Sequence, residues 1–368
     1  MSQPDFVFRG HQSAVNSVCF FADDRFLVSA DQDGNIIVWN MLLKRQLVRK
    51  EAAHSAPVLS VCGIGTDMIV SQGRDNRLCL WRLDAGEFSG SLTLLQAVDV
   101  DSMNFCKFSY CKAQSSDGSS DGSSGALWIA ALEDAGSGKG LLYDVDSNRK
   151  HSFGIGRKTR TMAGGREDSP MCMKLVSETD RRFVLFVGYE STLLQRFEIE
   201  VSDTLDKCVA KCTDIVDSDH KEPIMCMDID PQQQLIYTCS ADNKVCRTSI
   251  GTEDPSDGTS TGLLSNKGGS DVCLFNCSVS PGQFVAVAGW DYAIHILDKD
   301  LKYVSRVAYH REALTSIDVS SQSTAYEEQI ADEMVRRRWS LRPRWLVAAS
   351  RDSRISLWSV DSLTKDPA

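Results

Sequence analysis

The sequence predicts an all-β fold, a single seven-bladed β-propeller in which an N-terminal strand completes the last blade. The first observation is a phrase that recurs along the 368 residues, with small residues, then an Asp, then alternating apolar positions that end in Trp. Its clearest copies are VSADQDGNIIVWNM, VSQGRDNRLCLWRL and AASRDSRISLWSV. Self-similarity of this kind indicates a repeat architecture.

The second observation is that weaker copies and their flanking segments alternate with the period of a strand. TCSADNKVCRTSI, AVAGWDYAIHILD, FVGYESTLLQRFEI and the degraded LWIAALEDAGSGKGLLYDV bring the copies to seven. A second alternating run precedes each copy, as in AVNSVCF, PVLSVCG, SMNFCKF and ALTSIDV. Period-two alternation broken by turn residues, with almost no helical periodicity, predicts four short antiparallel strands per unit.

The repeats divide the chain into one domain, 1–368, without a second globular domain. The predicted blades lie at about 11–48, 54–95, 98–153, 169–215, 220–264, 270–307 and 310–360. After ISLWSV too few residues remain for a fourth strand in the last blade, and DFVFRG at 5–10 has no other partner. We therefore expect residues 5–10 to pair with the third strand of the last blade and close the ring.

Three insertions interrupt the repeats. The segments 111–125 and 251–271 are rich in Ser, Gly and Asp and predict flexible loops. In the segment 320–345, Tyr326, Ile330 and Met334 recur every four residues, with acids first and arginines last. That pattern predicts a short helix whose charges suit its dipole.

Composition argues against several classes of function. The net charge of −10 and pI near 5.2 oppose direct binding of nucleic acid, which depends on clustered Lys and Arg. No leader and no long apolar run are visible, so we expect no membrane association and a cytoplasmic and nuclear location. The thirteen cysteines include no Cys-x-x-Cys pair and lie mostly in apolar runs, which predicts reduced buried thiols and no metal.

Catalytic motifs are weak, so the sequence predicts a protein that is not an enzyme and needs no cofactor. GTSTG at 258–262 matches a nucleophile elbow but lacks the strand and helix that the elbow requires. AGSGKGLL resembles a phosphate-binding loop, but Gly140 stands where Ser or Thr would hold magnesium, and we expect a hairpin turn there.

The units resemble WD40 repeats, in which His, Ser or Thr, Asp and Trp of one blade form a hydrogen-bonded tetrad. A buried carboxylate is tolerable only when it is hydrogen-bonded, so the network should rigidify each blade. The tetrad positions matched here are His11, Ser29, Asp33 and Trp39; His54, Ser71, Asp75 and Trp81; His220, Thr238 and Asp242; Asp291; and His310, Asp352 and Trp358. The third and fourth blades are expected to rely on packing alone.

The residue before each turn Asp should point outward from the face that carries these turns. These residues are Gln32, Arg74, Ala241, Trp290 and Arg351, with Glu190 at the matching place in the fourth blade. Among them, Arg74, Glu190, Trp290 and Arg351 are the candidate partner-binding residues, because an aromatic residue flanked by arginines is typical of interface hot spots. The alternative for Trp290 is that it packs onto a neighbouring blade.

The ordered series FVFRGHQSAV, SQGRDNRLCLW, SPMCMKL, VGYE, KEPIMCMDID, AGWDYAIHI and SRDSRISLWS resembles the family of guanine nucleotide-binding protein subunit beta-like protein 1 and ASTRA-associated protein 1. The insertions and the degraded third blade depart from that family. The resemblance implies a non-catalytic scaffold that acts with the TTT co-chaperone complex in maturing phosphatidylinositol-3-kinase-related kinases (PIKKs), and in fungi with chromatin-remodelling assemblies. It implies protein partners and a monomer within a larger complex.

Two other classes stay open. A WD40 substrate receptor of a cullin-type ubiquitin ligase would be expected to show Trp-Asp-x-Arg after a third strand, whereas this chain has WNML, WRLD and WSVD. A G-protein β-like signalling scaffold would use a long N-terminal helix for its γ partner, whereas here the first strand is expected from about residue 5. Both alternatives are weakened by these differences.

Overall fold

The computed structural model describes residues 3–86, 88–113, 125–155, 168–202, 208–230, 234–249, 260–264, 267–277, 282–321 and 342–364. Seven four-stranded antiparallel sheets form the blades, which confirms the predicted all-β, seven-bladed propeller. The chain divides into two compact units, unit 1 with Met1–Val98 and Gly262–Ala368, and unit 2 with Asp99–Thr261.

Unit 1 holds blades 1, 2, 6 and 7. Blades 1 and 2 consist of β2 (Val15–Phe21), β3 (Phe26–Asp31), β4 (Ile36–Asn40) and β5 (Arg45–Lys50), then β6 (Val58–Ile64), β7 (Met68–Gly73), β8 (Arg77–Ala85) and β9 (Gly90–Asp99). Blade 6 consists of β22 (Gly269–Cys277), β23 (Gly282–Gly289), β24 (Ala293–Asp298) and β25 (Tyr303–Ala308). Blade 7 consists of β26 (Leu314–Val319), β27 (Trp345–Ser350), β28 (Arg354–Ser359) and β1 (Phe6–Arg9).

Unit 2 holds blades 3, 4 and 5 as far as Thr261, within the last strand of blade 5. Their strands are β10 (Ser109–Lys112), β11 (Leu127–Asp134), β12 (Lys139–Asp144) and β13 (Arg149–Gly154); β14 (Pro170–Ser177), β15 (Arg182–Tyr189), β16 (Leu193–Val201) and β17 (Cys208–Asp217); and β18 (Ile224–Asp230), β19 (Leu235–Ser240), β20 (Lys244–Ser249) and β21 (Ser260–Leu263). A short helix, α1 (Val360–Leu363), follows β28 in unit 1. Within the described ranges, no helix has the length and apolar character to cross a membrane.

The first strand of each blade in unit 1 carries a bulge at the same place, and in blades 1, 6 and 7 the side chain just after the bulge bonds to the next blade. The Val18 N–H donates to Ser316 Oγ at 3.4 Å, and the Val61 N–H donates to Ser17 Oγ at 3.1 Å. In blade 6 the matching residue is Asp271, which accepts the Ile317 N–H at 3.1 Å. These bonds fix the register between neighbouring first strands, which we call the inner strands.

The last blade is completed by the N-terminal strand, as predicted. β1 pairs antiparallel with β28, from Phe6 opposite Leu357 to Arg9 opposite Arg354. The Phe8 side chain is 1% exposed, and its ring lies 5.2 Å from that of Trp39 in blade 1. The strand therefore completes blade 7 and also packs against the core of blade 1.

The first strand of blade 3 is not where the alternating run SMNFCKF placed it. Residues 102–108 are not a strand, and β10 occupies Ser109–Lys112 instead. The side chain of Asp101 accepts the Met103 N–H and that of Asn104 accepts the Cys106 N–H, both at 3.0 Å. Asx bonds of this kind compete with a sheet ladder and turn the chain.

The predicted insertions are shorter than expected where the structure describes them. Cys111 and Lys112, at the start of the 111–125 segment, belong to β10, and residues 260–263 of the 251–271 segment form β21. Residues 269–271 belong to β22, whereas residues 114–124, 251–259 and 265–266 lie outside the described residues, as does the predicted helix with Tyr326, Ile330 and Met334. The described ends of the third insertion meet at Asp24, which accepts bonds from the Ser321 N–H and from Arg342.

We expect Phe8→Ala to lower the free energy of unfolding by about 3–5 kcal/mol, because it leaves a cavity where β1 joins blade 1. Phe6→Ala, at the partly exposed end of the same strand face with its ring 4.9 Å from that of Phe8, is the matched control and should cost less than half as much. Urea denaturation of both variants tests this, and equal losses would contradict the anchoring role of Phe8.

Candidate functional site

The turn between the second and third strands of blade 2 shows the full predicted network. His54 Nδ1 lies 2.9 and 3.1 Å from the two carboxylate oxygens of Asp75, and His54 Nε2 lies 2.7 Å from Ser71 Oγ. The indole N–H of Trp81 donates to the same Ser71 Oγ at 2.8 Å. The structure therefore brings together the four side chains that the sequence predicted for this blade.

The chemistry of the four groups sets the direction of these bonds. An ionised carboxylate can only accept, so Nδ1 of His54 carries the proton that faces Asp75. In the neutral ring, Nε2 accepts from the Ser71 hydroxyl, whose oxygen accepts from the Trp81 indole. The Ser71 hydroxyl thus links the turn to the third strand and acts as both a donor and an acceptor.

Blade 1 uses a different carboxylate from the predicted one. His11 Nδ1 lies 2.7 Å from Asp31 Oδ2, and not against Asp33, which is exposed and gives only its backbone N–H to Asp31. The other members are as predicted, because Ser29 Oγ bonds to His11 Nε2 at 2.7 Å and to the Trp39 indole at 2.8 Å.

The residue that ends the second strand explains why the two blades differ. Gly73 ends β7 at the position that Asp31 occupies at the end of β3, and a Cβ at Gly73 would lie 2.3 Å from His54 Nδ1. Blade 2 has no side chain there and blades 5 and 7 have only Ser240 and Ser350, and in each of these blades the carboxylate two residues further on reaches the imidazole. In blade 1 the Asp31 side chain fills that space and takes the bond itself.

Blade 7 keeps the network but moves the hydroxyl to the other strand. His310 Nδ1 lies 3.0 and 3.1 Å from the oxygens of Asp352, as predicted. Ala348 stands at the expected hydroxyl position, but its cross-strand partner Ser356 bonds to His310 Nε2 at 2.8 Å and accepts the Trp358 indole N–H at 2.9 Å. A serine hydroxyl thus lies between the imidazole and the indole, as in blades 1 and 2, but it comes from the neighbouring strand.

Blade 6 is more complete than the sequence predicted, because Asp291 has two further partners. His295 Nε2 lies 2.9 Å from Asp291 Oδ1, and Arg306 donates to Asp291 Oδ2 from Nε at 3.1 Å and Nη2 at 2.9 Å. His295 stands opposite Val287, the same register position as Ser356 opposite Ala348. Its place four residues after the turn Asp is the signal that would have identified it.

In unit 2, blade 5 keeps three predicted members. His220 Nδ1 lies 3.2 and 3.3 Å from the Asp242 oxygens, and Nε2 lies 2.9 Å from Thr238 Oγ1. Thr248 stands where an indole would complete the network. The longer contacts to Asp242 make this the weakest of the described imidazole–carboxylate pairs.

Blade 4 does not rely on packing alone, which corrects the expectation from sequence. Asp168, in the entry segment, accepts the Ser191 N–H at 3.0 Å and also the Ser191 hydroxyl. The carboxylate and the small polar group have exchanged places relative to the other blades. In blade 3, packing is the main contact, with the Trp128 and His151 rings 5.8 Å apart.

The pKa values follow these contacts. Burial by itself would raise the pKa of Asp31, Asp75 and Asp352, but the imidazole bonds and turn amides lower it overall. Such a carboxylate stabilises the fold above the ordinary Asp pKa of about 3.9, and the stabilisation is lost as the pH falls through the lower folded value. For His220, burial outweighs Asp242 and lowers the pKa of the imidazole.

The residue before the turn Asp occupies one equivalent position in six blades. In unit 1 the N–H groups of Gln32, Arg74, Trp290 and Arg351 donate to the carbonyl of the residue that precedes the blade's first strand, at 2.8–3.1 Å. In unit 2, Glu190 and Ala241 make the same bond. Arg351 is exposed, while Arg74, Glu190 and Trp290 are partly exposed. Trp290 is therefore neither a fully buried core residue nor a fully exposed one.

The residue after the turn Asp adds a feature that the sequence analysis missed. It has a left-handed backbone at Gly34, Asn76, Thr192, Tyr292 and Ser353. Tyr292, with φ of 71°, is the bulkiest of these, and a large side chain in this region is strained. The residue is 38% exposed, and the Lys267 ammonium lies 4.8 Å from the centroid of its ring. Trp290, Asp291 and Tyr292 form what we call the aromatic turn.

Where the structure describes them, the remaining motifs lie in a hairpin and in a strand. The AGSGKGLL segment forms the hairpin between β11 and β12, and the Gly138 N–H donates to the Ala135 carbonyl. The GTSTG motif lies partly outside the described residues, and Ser260 to Gly262 belong to β21. Across the described segments, no three His, Cys, Asp or Glu side chains gather as metal ligands.

Comparison with known proteins identifies the repeat and its relatives. The family profile "WD domain, G-beta repeat" matches residues 2–40 and 208–246. ASTRA-associated protein 1 of Verticillium alfalfae is 24% identical over 97% of this chain and 92% of its own length. Guanine nucleotide-binding protein subunit beta-like protein 1 of Mus musculus is 25% identical over 97% of this chain and 96% of its own. The family resemblance in the sequence is thereby confirmed.

We expect Asp31→Ala to lower the free energy of unfolding by about 1–3 kcal/mol, because it leaves the buried His11 N–H without an acceptor. Asp33→Ala, two residues along the same turn, is the control and should change stability by less than about 0.5 kcal/mol. Urea denaturation distinguishes them. A larger loss for Asp33→Ala would show that the turn uses the predicted carboxylate after all.

Lowering the pH should loosen blade 5 through His220. Because its folded pKa lies below the unfolded value of about 6.5, the stabilisation is complete above that pH and is lost as the pH falls through the folded value. We expect amide exchange in β19 and β20, corrected for intrinsic rates, to speed up between pH 7.5 and 5.5. In His220→Gln the dependence should vanish, and an unchanged pH profile in that variant would contradict the assignment.

Proposed function

We propose that this WD40-repeat propeller, a scaffold for protein–protein interaction, captures its main partner at the aromatic turn of blade 6 without catalysing a reaction. The observation that carries the proposal is Tyr292, a large aromatic residue in a left-handed turn position where Gly34 and Asn76 serve in blades 1 and 2. Strain that the fold does not require is a mark of a functional position.

The chemistry of the aromatic turn suits a protein partner. Trp290 and Tyr292 flank Asp291, whose charge is held by His295 and Arg306, so the turn presents two aromatic groups on a rigid base. Lys267 lies over the Tyr292 ring and adds a positive group beside it. Aromatic and Arg side chains dominate hot spots, and the exposed Arg351 lies at the matching turn of blade 7.

The finer proposal is that the partner belongs to the co-chaperone machinery of PIKKs, namely a TTT complex subunit. Its support is the family resemblance over nearly the whole chain and a relative named ASTRA-associated protein 1. We propose that the protein works as a monomer within a larger complex in the cytoplasm and nucleus, in PIKK stability and in chromatin-remodelling assemblies. It needs no cofactor, nucleic acid or membrane for this.

The experiment is affinity purification of the tagged protein from its own cells, with the co-purifying proteins identified by mass spectrometry. Recovery of TTT subunits together with a PIKK supports the proposal. Recovery of a cullin with its adaptor, or of a Gγ-like subunit, without TTT subunits would overturn the co-chaperone role and leave the scaffold.

We expect Tyr292→Asn to reduce recovery of the partner at least about tenfold, the effect of losing a hot-spot contact worth at least 1.4 kcal/mol. The thermal unfolding temperature should stay the same or rise, because Asn tolerates a left-handed backbone better than Tyr. Gln234→Asn, at a left-handed position in unit 2, is the matched control and should leave recovery unchanged. Undiminished recovery with Tyr292→Asn would place the partner elsewhere.

A further inference from the structure

Two thiols from neighbouring blades meet between the inner strands of unit 1. Cys19 on β2 and Cys62 on β6 have their Sγ atoms 3.0 Å apart. Each stands two residues after the bulge position, at Ser17 in blade 1 and Ser60 in blade 2, so the two thiols occupy equivalent sites. Both residues are partly exposed.

The strands hold this pair in place. Ser17 Oγ accepts the Val61 N–H at 3.1 Å and donates to the Val61 carbonyl at 3.2 Å, directly beside the two thiols. On the other side of β2, the Phe20 N–H donates to Asp318 Oδ2 at 2.7 Å. Because neighbours on both sides fix the register of β2, the thiols face each other as a consequence of the fold.

We propose that Cys19 and Cys62 form a reversible disulfide that joins the inner strands of blades 1 and 2, made by exchange with a low-molecular-weight disulfide such as glutathione disulfide. The Cys62 thiolate attacks one sulfur of that reagent, whose S–S bond breaks, and the first glutathione leaves as a thiolate and takes up a proton. Cys19 then loses its proton to solvent and attacks the Cys62 sulfur, and the second glutathione leaves. Two protein thiols are oxidised and one glutathione disulfide is reduced.

The order of the two attacks follows from the surroundings of Cys19. The hydrogen bond with Cys62, burial and the nearby Asp318 carboxylate raise the pKa of the Cys19 thiol well above its usual value. The thiolate is the attacking species in exchange, so this shift disfavours a first attack by Cys19. Its role is to attack the mixed disulfide that Cys62 has formed with glutathione.

The disulfide would act on the geometry of the blades. It would enclose residues 19–62 in a covalent loop that contains the turn of blade 1 and the entry segment of blade 2. Such a link removes conformations mainly from the unfolded chain, so the oxidised protein should melt at a higher temperature than the reduced protein. The expectation from sequence that the thiols remain reduced therefore has one exception.

Tryptic digestion gives a direct test, because the cleavage sites isolate the two cysteines. Cys19 is the sole cysteine of peptide 10–25 and Cys62 that of peptide 51–74. The full-length protein is reduced, freed of reductant, incubated with glutathione disulfide, alkylated and digested. We expect peptides 10–25 and 51–74 joined by a disulfide in most molecules, and separated again after reduction.

The controls distinguish a specific pair from general oxidation. Cys62→Ser should abolish the linked peptide and the rise in melting temperature. Cys208 and Cys212, both partly exposed on β17, are four residues apart along one strand, about 13 Å, and should stay unlinked. Separate glutathionylation of peptides 10–25 and 51–74, or linkage of either to another cysteine peptide, would overturn the proposal.

Discussion

A carboxylate buried in a tight turn needs a hydrogen-bond donor, and most blades of this protein supply one from a nearby side chain. In blades 1, 2, 5 and 7 the donor is an imidazole from the entry segment, and in blade 6 it is an imidazole from the third strand joined by a guanidinium. Blade 4 reverses the arrangement with Asp168 and Ser191. The space between entry segment, turn and third strand is constant, whereas the residues that fill it vary.

The sequence predicted the strands well because alternation and turn residues are local signals. It failed where the result depends on which side chains meet across strands. In blade 1, Asp31 replaces Asp33 because Asp31 itself ends the second strand and lies against the imidazole. In blade 7, Ser356 supplies the hydroxyl that Ala348 lacks, because the two residues are paired across neighbouring strands. The run at 102–108 alternates correctly, but Asp101 and Asn104 turn the backbone before a ladder can form.

The candidate interaction site could be predicted in position but not in character. The six residues before the turn carboxylate or its equivalent share one backbone bond, as the repeat implied. The repeat could not indicate that Tyr292 lies one position further on with a left-handed backbone, because dihedral strain is a property of the folded turn. Nor could it show that Cys19 and Cys62 meet, since that contact joins equivalent positions of two neighbouring blades.

The sequence repeat is out of phase with the blade. The matched segments 2–40 and 208–246 each begin with the fourth strand of one blade and continue with three strands of the next. Blade 7 therefore combines the first strand of the chain with three of the last, β1 being synthesised before all others and β28 after them. Translation proceeds at about 5–20 residues per second, so β28 is synthesised tens of seconds after β1. During that time Phe8 lies on a strand without its partner, and unpaired apolar strands of a nascent chain are prone to aggregation.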